Sequence, residues 1–163
     1  MSVDTIEKLF VDELKDLYSA ETQITKALPK MAKAATSNDL RAAFEHLLRE
    51  TEGQIQRLDQ VFQTLGVNPK GKTCDGMKGV LEEGEKMLKE TEQGDVRDAA
   101  LISAAQRVEH YEMAGYGTVR TYAEKLGKKQ IVGLLQETLE EEKAADKKLT
   151  EISQKVHQHA HAA

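Results

Sequence analysis

The sequence predicts an all-α protein: an antiparallel four-helix bundle of two hairpins joined by a long crossover that carries a short fifth helix. Three observations lead there. Apolar residues recur at alternating spacings of four and three in four separate stretches, the pattern of a helix facing a helical partner. Aromatics make up only 4% of the chain, with two prolines and no tryptophan, a balance that suits long helices rich in Ala, Leu, Glu, Lys and Gln. At 163 residues the chain is sized for one domain, residues 1–163, able to bury a real core.

The first long helix is expected from Thr5 to Ala35, with the seam Phe10, Leu14, Leu17, Glu21, Ile24, Leu28, Met31, Ala35. Thr36-Ser37-Asn38-Asp39 supplies a turn and an N-cap for the second, Asp39 to Leu65. Its seam reads Leu40, Phe44, Leu47, Thr51, Gln54, Leu58, Val61, Leu65, polar at its middle, with Glu50 beside it. Gly66 ends this helix, and the segment to Gly71, with Pro69 inside it, is the clearest breaker in the chain. A weaker crossover helix follows at about 75–92, interrupted by Gly79 and Gly84. Gly94-Asp95 caps the third long helix, which runs to Leu126 on the seam Ile102, Ala105, Glu109, Glu112, Tyr116, Val119, Ala123, Leu126. After the turn Gly127-Lys128-Lys129, the fourth carries Ile131, Leu135, Thr138, Glu142, Ala145, Leu149, Ile152, Val156. The tail, 157–163, with His157, His159 and His161, is expected to fray. One long crossover between two hairpins is the layout of ferritin-like bundles.

Glu21, Glu109, Glu112 and Glu142 thus occupy positions where a bundle carries leucines, and Glu50 flanks a fifth such place. A carboxylate in a bundle core costs several kcal/mol unless something cationic compensates it. The seams hold no Lys or Arg, and Arg120 lies only at the edge of the third. Glu21 stands 16 residues before Ser37 and Glu50 13 after it; Glu112 stands 16 before Lys128 and Glu142 14 after it. At ~1.5 Å rise per residue these four reach similar depth, so four helices deliver carboxylates to one layer. The cheapest remaining cation is a metal.

Dinuclear carboxylate sites in such bundles place one Glu on each of two helices and Glu-x-x-His on the other two. Here Gly53 and Ala145 stand where those histidines would, and Glu109-His110-Tyr111-Glu112 adds a carboxylate instead. An oxygen-rich set of up to five glutamates favours hard ions, iron or manganese over copper or zinc. Gln54 reads first as a hydrogen-bond donor behind the ligands, and His110 and Asp146 first as neighbours of the site, with a place among the ligands left open for all three. Tyr18, Tyr111 and Tyr116 read first as aromatic packing, and Cys74 as a small buried hydrophobe.

A net charge of −5 without a dense basic run argues against nucleic acid as a partner. One cysteine cannot form an internal disulfide, and MSVDTIEKLF has no signal-peptide character, so a cytoplasmic protein is expected. No apolar run approaches the ~20 residues that span a membrane.

The strings Asp16-Leu17-Tyr18-Ser19-Ala20-Glu21, Glu50 to Asp59, Arg97 to Ile102, Val108-Glu109-His110-Tyr111-Glu112 and Glu137 to Lys143 carry a resemblance. On them the chain resembles the YciE/YciF family of bacterial stress proteins, within the ferritin-like superfamily, over nearly its whole length. The resemblance implies a dimetal bundle, commonly dimeric, with ferroxidase-type activity and no settled substrate. Glu109-x-x-Glu112, with Glu112 30 residues before Glu142, also looks like the arrangement in rubrerythrins. By that analogy Glu21, Glu50, Glu109, Glu112 and Glu142 carry over as metal ligands. Gly53 and Ala145 in place of two histidines, and the lack of a Cys-x-x-Cys module, speak against rubrerythrin-type peroxidase chemistry.

The expected function is therefore a dimetal oxidase that binds two ions, iron ahead of manganese, and oxidises ferrous iron with dioxygen or peroxide. The alternative is a helical metal-binding or structural protein without turnover. Leu48, Ile55 and Phe62 form a second apolar line on the second helix. It predicts a homodimer, unless Phe62 packs under the crossover.

Overall fold

The protein is described here by a computed structural model covering residues 2–160 of the backbone and side chains 2–156. Five helices follow in order: α1 (Ile6–Ala34), α2 (Asn38–Leu65), α3 (Asp75–Glu90), α4 (Asp95–Lys125) and α5 (Lys129–Ala160). Their starts follow local chemistry. Thr5 and Ser37 cap α1 and α2 by accepting from the N–H groups of Lys8 and Leu40. Gly66, at φ 66°, ends α2 in the left-handed conformation that glycine adopts without strain. The helix expected to end near Val156 continues to Ala160; residues 161–163 of the tail lie outside the described residues.

All four seams point inward, and only Leu65 and Leu126, at helix ends, are incompletely buried. Fully burying a Leu, Ile or Phe side chain contributes about 1.5–3 kcal/mol, so these stripes drive assembly. They divide into two apolar clusters. One holds Ile24, Leu28, Phe44, Leu101, Leu149 and their neighbours; the other holds Phe10, Leu14, Leu58, Tyr116, Leu135 and theirs. The glutamate layer lies where the clusters meet.

α1 pairs with α2, α4 with α5, α1 with α4, and α2 with α5. Each contact is antiparallel: Leu17 of α1 meets Gly115 of α4, while the α1–α2 turn bonds to Asp98 in the first turn of α4. Likewise Arg57 reaches Thr138, and Lys155 reaches Asp39, across α2 and α5. α3 lies over the groove between α1 and α4, and Met77 is its one fully buried residue.

The second apolar line on α2 is not continuous. Phe62 is buried within the protomer, edge-on to the Tyr18 ring at 5.8 Å between centroids, while Leu48 and Ile55 are half-buried.

Candidate metal centre

Glu21 from α1, Glu112 from α4 and Glu142 from α5 each direct one carboxylate oxygen to a common point, all within 4.8 Å of one another. A glycine permits this approach. A Cβ on Gly115 would stand 2.6 Å from Leu17 Cδ2, so a side chain there would force the buried Leu17 side chain to shift, one turn from the carboxylates. Glu109 adjoins the group. The carboxyls form a chain, Glu21 to Glu112, Glu112 to Glu142, and Glu142 to Glu109.

All four are buried, and they meet little except one another. Tyr116 donates its hydroxyl to Glu21 Oε1 at 2.7 Å. Oε2 of Glu21 and Oε2 of Glu109 have no donor. Two carboxyls can bond each other only by sharing a proton, so without a cation the layer must hold protons. The acidities agree. Burial pushes Glu21 up to about 8, opposed by the Tyr116 hydrogen bond and reinforced by Glu109. Burial also lifts Glu109, Glu112 and Glu142 well above the ordinary carboxylic range, with their neighbours' charges adding to it.

Glu50 stands apart from these four. Its side chain is 21% exposed and bonds His46 Nε2 at 3.1 Å. Its charge adds to the rise in the Glu109 pKa, after burial and Glu142.

Arg57 does not neutralise the layer. Arg57 is consumed by Glu141, by Glu137 at 2.9 Å and by Thr138 Oγ1 at 3.1 Å. Glu141 takes Gln54 as well, at 3.4 Å, so Gln54 donates to Glu141 and not to a layer glutamate. His110 pairs with Asp146 at 3.2 Å, 66% exposed and outside the group. Arg120 bonds Gln136 at 2.5 Å.

Tyr116, expected to serve packing, is a hydrogen-bond donor to the site. Its place one turn beyond Glu112 on the same seam was the signal. Tyr111 has a different duty. It donates to Asp16 Oδ2 at 2.9 Å and meets Cys74 Sγ at 3.0 Å. Cys74 is correspondingly more than a buried hydrophobe. Its sulfur also donates to Asp16 and caps α3 by accepting from Met77 N, which anchors the crossover. Burial raises the thiol's pKa.

The donor set fits divalent ions: buried oxygens, two of them orphaned, lie together with no Lys or Arg bonded to them among the described residues. A buried glutamate cluster of this kind could hold a metal ion.

The model of a domain of unknown function, DUF892, matches residues 5–162. Protein YciF of Escherichia coli K12 is 50% identical over 154 residues, 94% of this chain and 93% of its own length. The crystal structure of the E. coli stress protein YciF matches with a TM-score of 0.92 at 48% identity, covering 96% of this chain and 99% of that one. YcfI from Rhodopseudomonas palustris matches with a TM-score of 0.89 at 47% identity, covering 91% and 95%. The fold is that of these ferritin-like helical proteins.

Proposed function

The chain belongs to the DUF892 family, and on that footing we propose that it is a carboxylate-bridged dimetal stress protein. It would bind two ions, iron ahead of manganese, and oxidise ferrous iron with dioxygen or peroxide. The observation that carries this reading is the convergence of Glu21, Glu112 and Glu142 beside Glu109, buried and without a cationic partner. Glu21, Glu109, Glu112 and Glu142 would hold the ions, and Glu50 would complete the set from the edge. Two bound ions would supply the redox chemistry.

The chain's own contribution is electrostatic and steric. Protons held on the layer would leave if divalent ions bound there, so the same buried carboxyls could carry either with little net charge change. Tyr116 fixes Glu21 Oε1 and leaves Oε2 free. The apolar clusters on either side keep water from the reacting oxygens.

Anaerobic ferrous loading followed by oxygen tests this. Rapid growth of diferric absorption is the expected result. Metal bound without oxidation would instead support a structural metal protein, and no metal bound would remove both. In this reading the protein is cytoplasmic, in keeping with one unbridged cysteine, and forms a homodimer. With Phe62 covered internally, the dimer rests on Leu48 and Ile55. Light scattering at micromolar concentration checks it: a constant 18.1 kDa species would remove the dimer.

A further inference from the structure

A buried layer needs a way in, and its surroundings are unequal. On the α1–α4 face, α3 and the Cys74–Asp16–Tyr111 bonds cover the groove. Toward the Phe10 end, Arg57 clasps Thr138, Glu137 and Glu141 across α2 and α5. On the other side of the layer, α2 and α5 separate into a cleft of about 680 Å³. Its wall includes His46, Leu47, Glu50, Ala145 and Leu149.

Glu50 connects the two environments. It lines the cleft, yet its charge acts on Glu109 inside the layer. His46, 62% exposed, holds it from one turn earlier on α2 at 3.1 Å. The cleft's other charges largely cancel: Lys155 pairs with Asp39 at 3.5 Å and Lys148 with Glu151 at 3.9 Å. Glu50 is left as the carboxylate without a lysine partner. Glu109, whose Oε2 has no donor, and Glu142 are buried, whereas the Glu50 side chain is 21% exposed.

We propose that the α2–α5 cleft is the port through which divalent metal ions reach the carboxylate layer, with Glu50 as the relay ligand and His46 as the residue that holds Glu50 toward the cleft. This rests on the metal-binding reading above. An ion entering the cleft exchanges water for Glu50 and is then passed to Glu109 and Glu142, so it is never left without an oxygen ligand in the apolar interior. His46 is a positioning residue: its ring fixes where Glu50 waits.

The chain has four tyrosines and no tryptophan, so cobalt(II) quenching of tyrosine fluorescence can follow uptake by stopped flow, with equilibrium dialysis giving the endpoint. Ala42 and Ala144 are exposed residues at the rim. Ala42→Phe with Ala144→Phe is expected to slow uptake at least tenfold while cobalt bound per chain at equilibrium stays the same. Ala114→Phe, on an exposed position of α4, controls for added bulk and should match the parent. His46→Ala should slow uptake severalfold, and His46→Gln, whose amide can still donate to Glu50, should restore most of the rate. Parent-like uptake in the rim double variant, with full cobalt binding, would overturn the port and leave the metal site standing. A His46→Ala variant that takes up cobalt at the parental rate would overturn its positioning role. If the parent itself binds no cobalt, the metal reading falls, and the port with it.

Discussion

Asp98 and the glutamate layer are both buried acids of the same bundle, and they are treated in opposite ways. Asp98 is 1% exposed, yet both its oxygens are answered: Thr36 N and Ser37 N each donate at 2.7 Å. It sits in the first turn of α4, where the helix dipole also favours a negative charge. Glu21 and Glu109 are buried comparably, yet each keeps an oxygen without a donor. Asp98 ties the α1–α2 turn to α4, and its partners explain it completely. The layer's partners do not explain it. A buried acid whose oxygens are both answered by backbone N–H groups is read as structure, and one left with a donorless oxygen among other acids as a site awaiting a cation.

The sharpest separation comes from metal. Because ions bind the folded chain and not the unfolded one, adding ferrous iron anaerobically, or manganese, should raise the thermal midpoint. At concentrations a thousandfold above Kd the rise should be about 10 °C for a chain of this size. Scanning fluorimetry or calorimetry with and without chelator checks this. An unchanged midpoint would place the layer in the same class as Asp98.

Exchanging one acid at a time should give opposite signs. Asp98→Asn should cost about 2–3 kcal/mol in urea unfolding, since hydrogen bonds to a charged group are the stronger kind, and should leave metal content unaltered. Glu142→Gln should lower metal content and leave the apo chain as stable as before or more so, because it removes a carboxyl from a crowd of like groups. Glu140, exposed and bonded to Gln136 and Lys143, is the internal control: Glu140→Ala should change neither quantity beyond about 0.5 kcal/mol. Equal loss of metal from Glu140→Ala and Glu142→Gln would show that helical phase does not select the ligands.

Acidity offers a third contrast. Glu21, with a folded pKa of about 8 against an ordinary 4.5, and its three raised neighbours bind more protons folded than unfolded between those values. The slope of unfolding free energy with pH is then negative, so the metal-free chain loses stability from pH 5 to pH 8. With metal bound the sign reverses, since protons compete with the ion and stability falls as pH drops. Thermal midpoints across that range, with and without manganese, should diverge as pH rises. Parallel curves would mean that metal does not displace the layer's protons.

The bundle was legible because its information is periodic: seams at four-three spacing and breakers at Gly66, Gly94 and Gly127 place all five helices within a few residues. The depth of Glu21, Glu112 and Glu142 was legible for the same reason, as equal distances from two turns. What lay outside periodicity was lost. Glu50 has the right depth but not the right phase, so whether it faces the layer or the cleft was not readable. Tyr116 lies on the seam, and a seam position does not say where a hydroxyl will point. Asp98 and Cys74 act through loops and turns, on Thr36, Ser37, Asp16 and Tyr111, and such pairings across 37 to 62 residues leave no local signature.

The smallest expected effect tests a neutral donor in the layer. Tyr116 and Glu21 are both fully buried, and the 2.7 Å bond between them favours the ionised form of Glu21, against the burial that raises its pKa. Tyr116→Phe keeps the ring and removes only the hydroxyl. The apo chain should lose about 1 kcal/mol, the ordinary worth of one hydrogen bond. Metal affinity should fall by less than about tenfold, roughly the same free energy read as an equilibrium constant. Its pH dependence is the discriminating feature. Without the hydroxyl, Glu21 holds its proton to higher pH, so the deficit should be largest near neutral pH and shrink above pH 8, where Glu21 gives the proton up in any case. Isothermal titrations with manganese at pH 6.5, 7.5 and 8.5 would show this. An affinity loss of the same size at all three would mean that Tyr116 shapes the cavity and does not govern the charge of Glu21, making the tyrosine's role more like that of Leu17 than that of a donor.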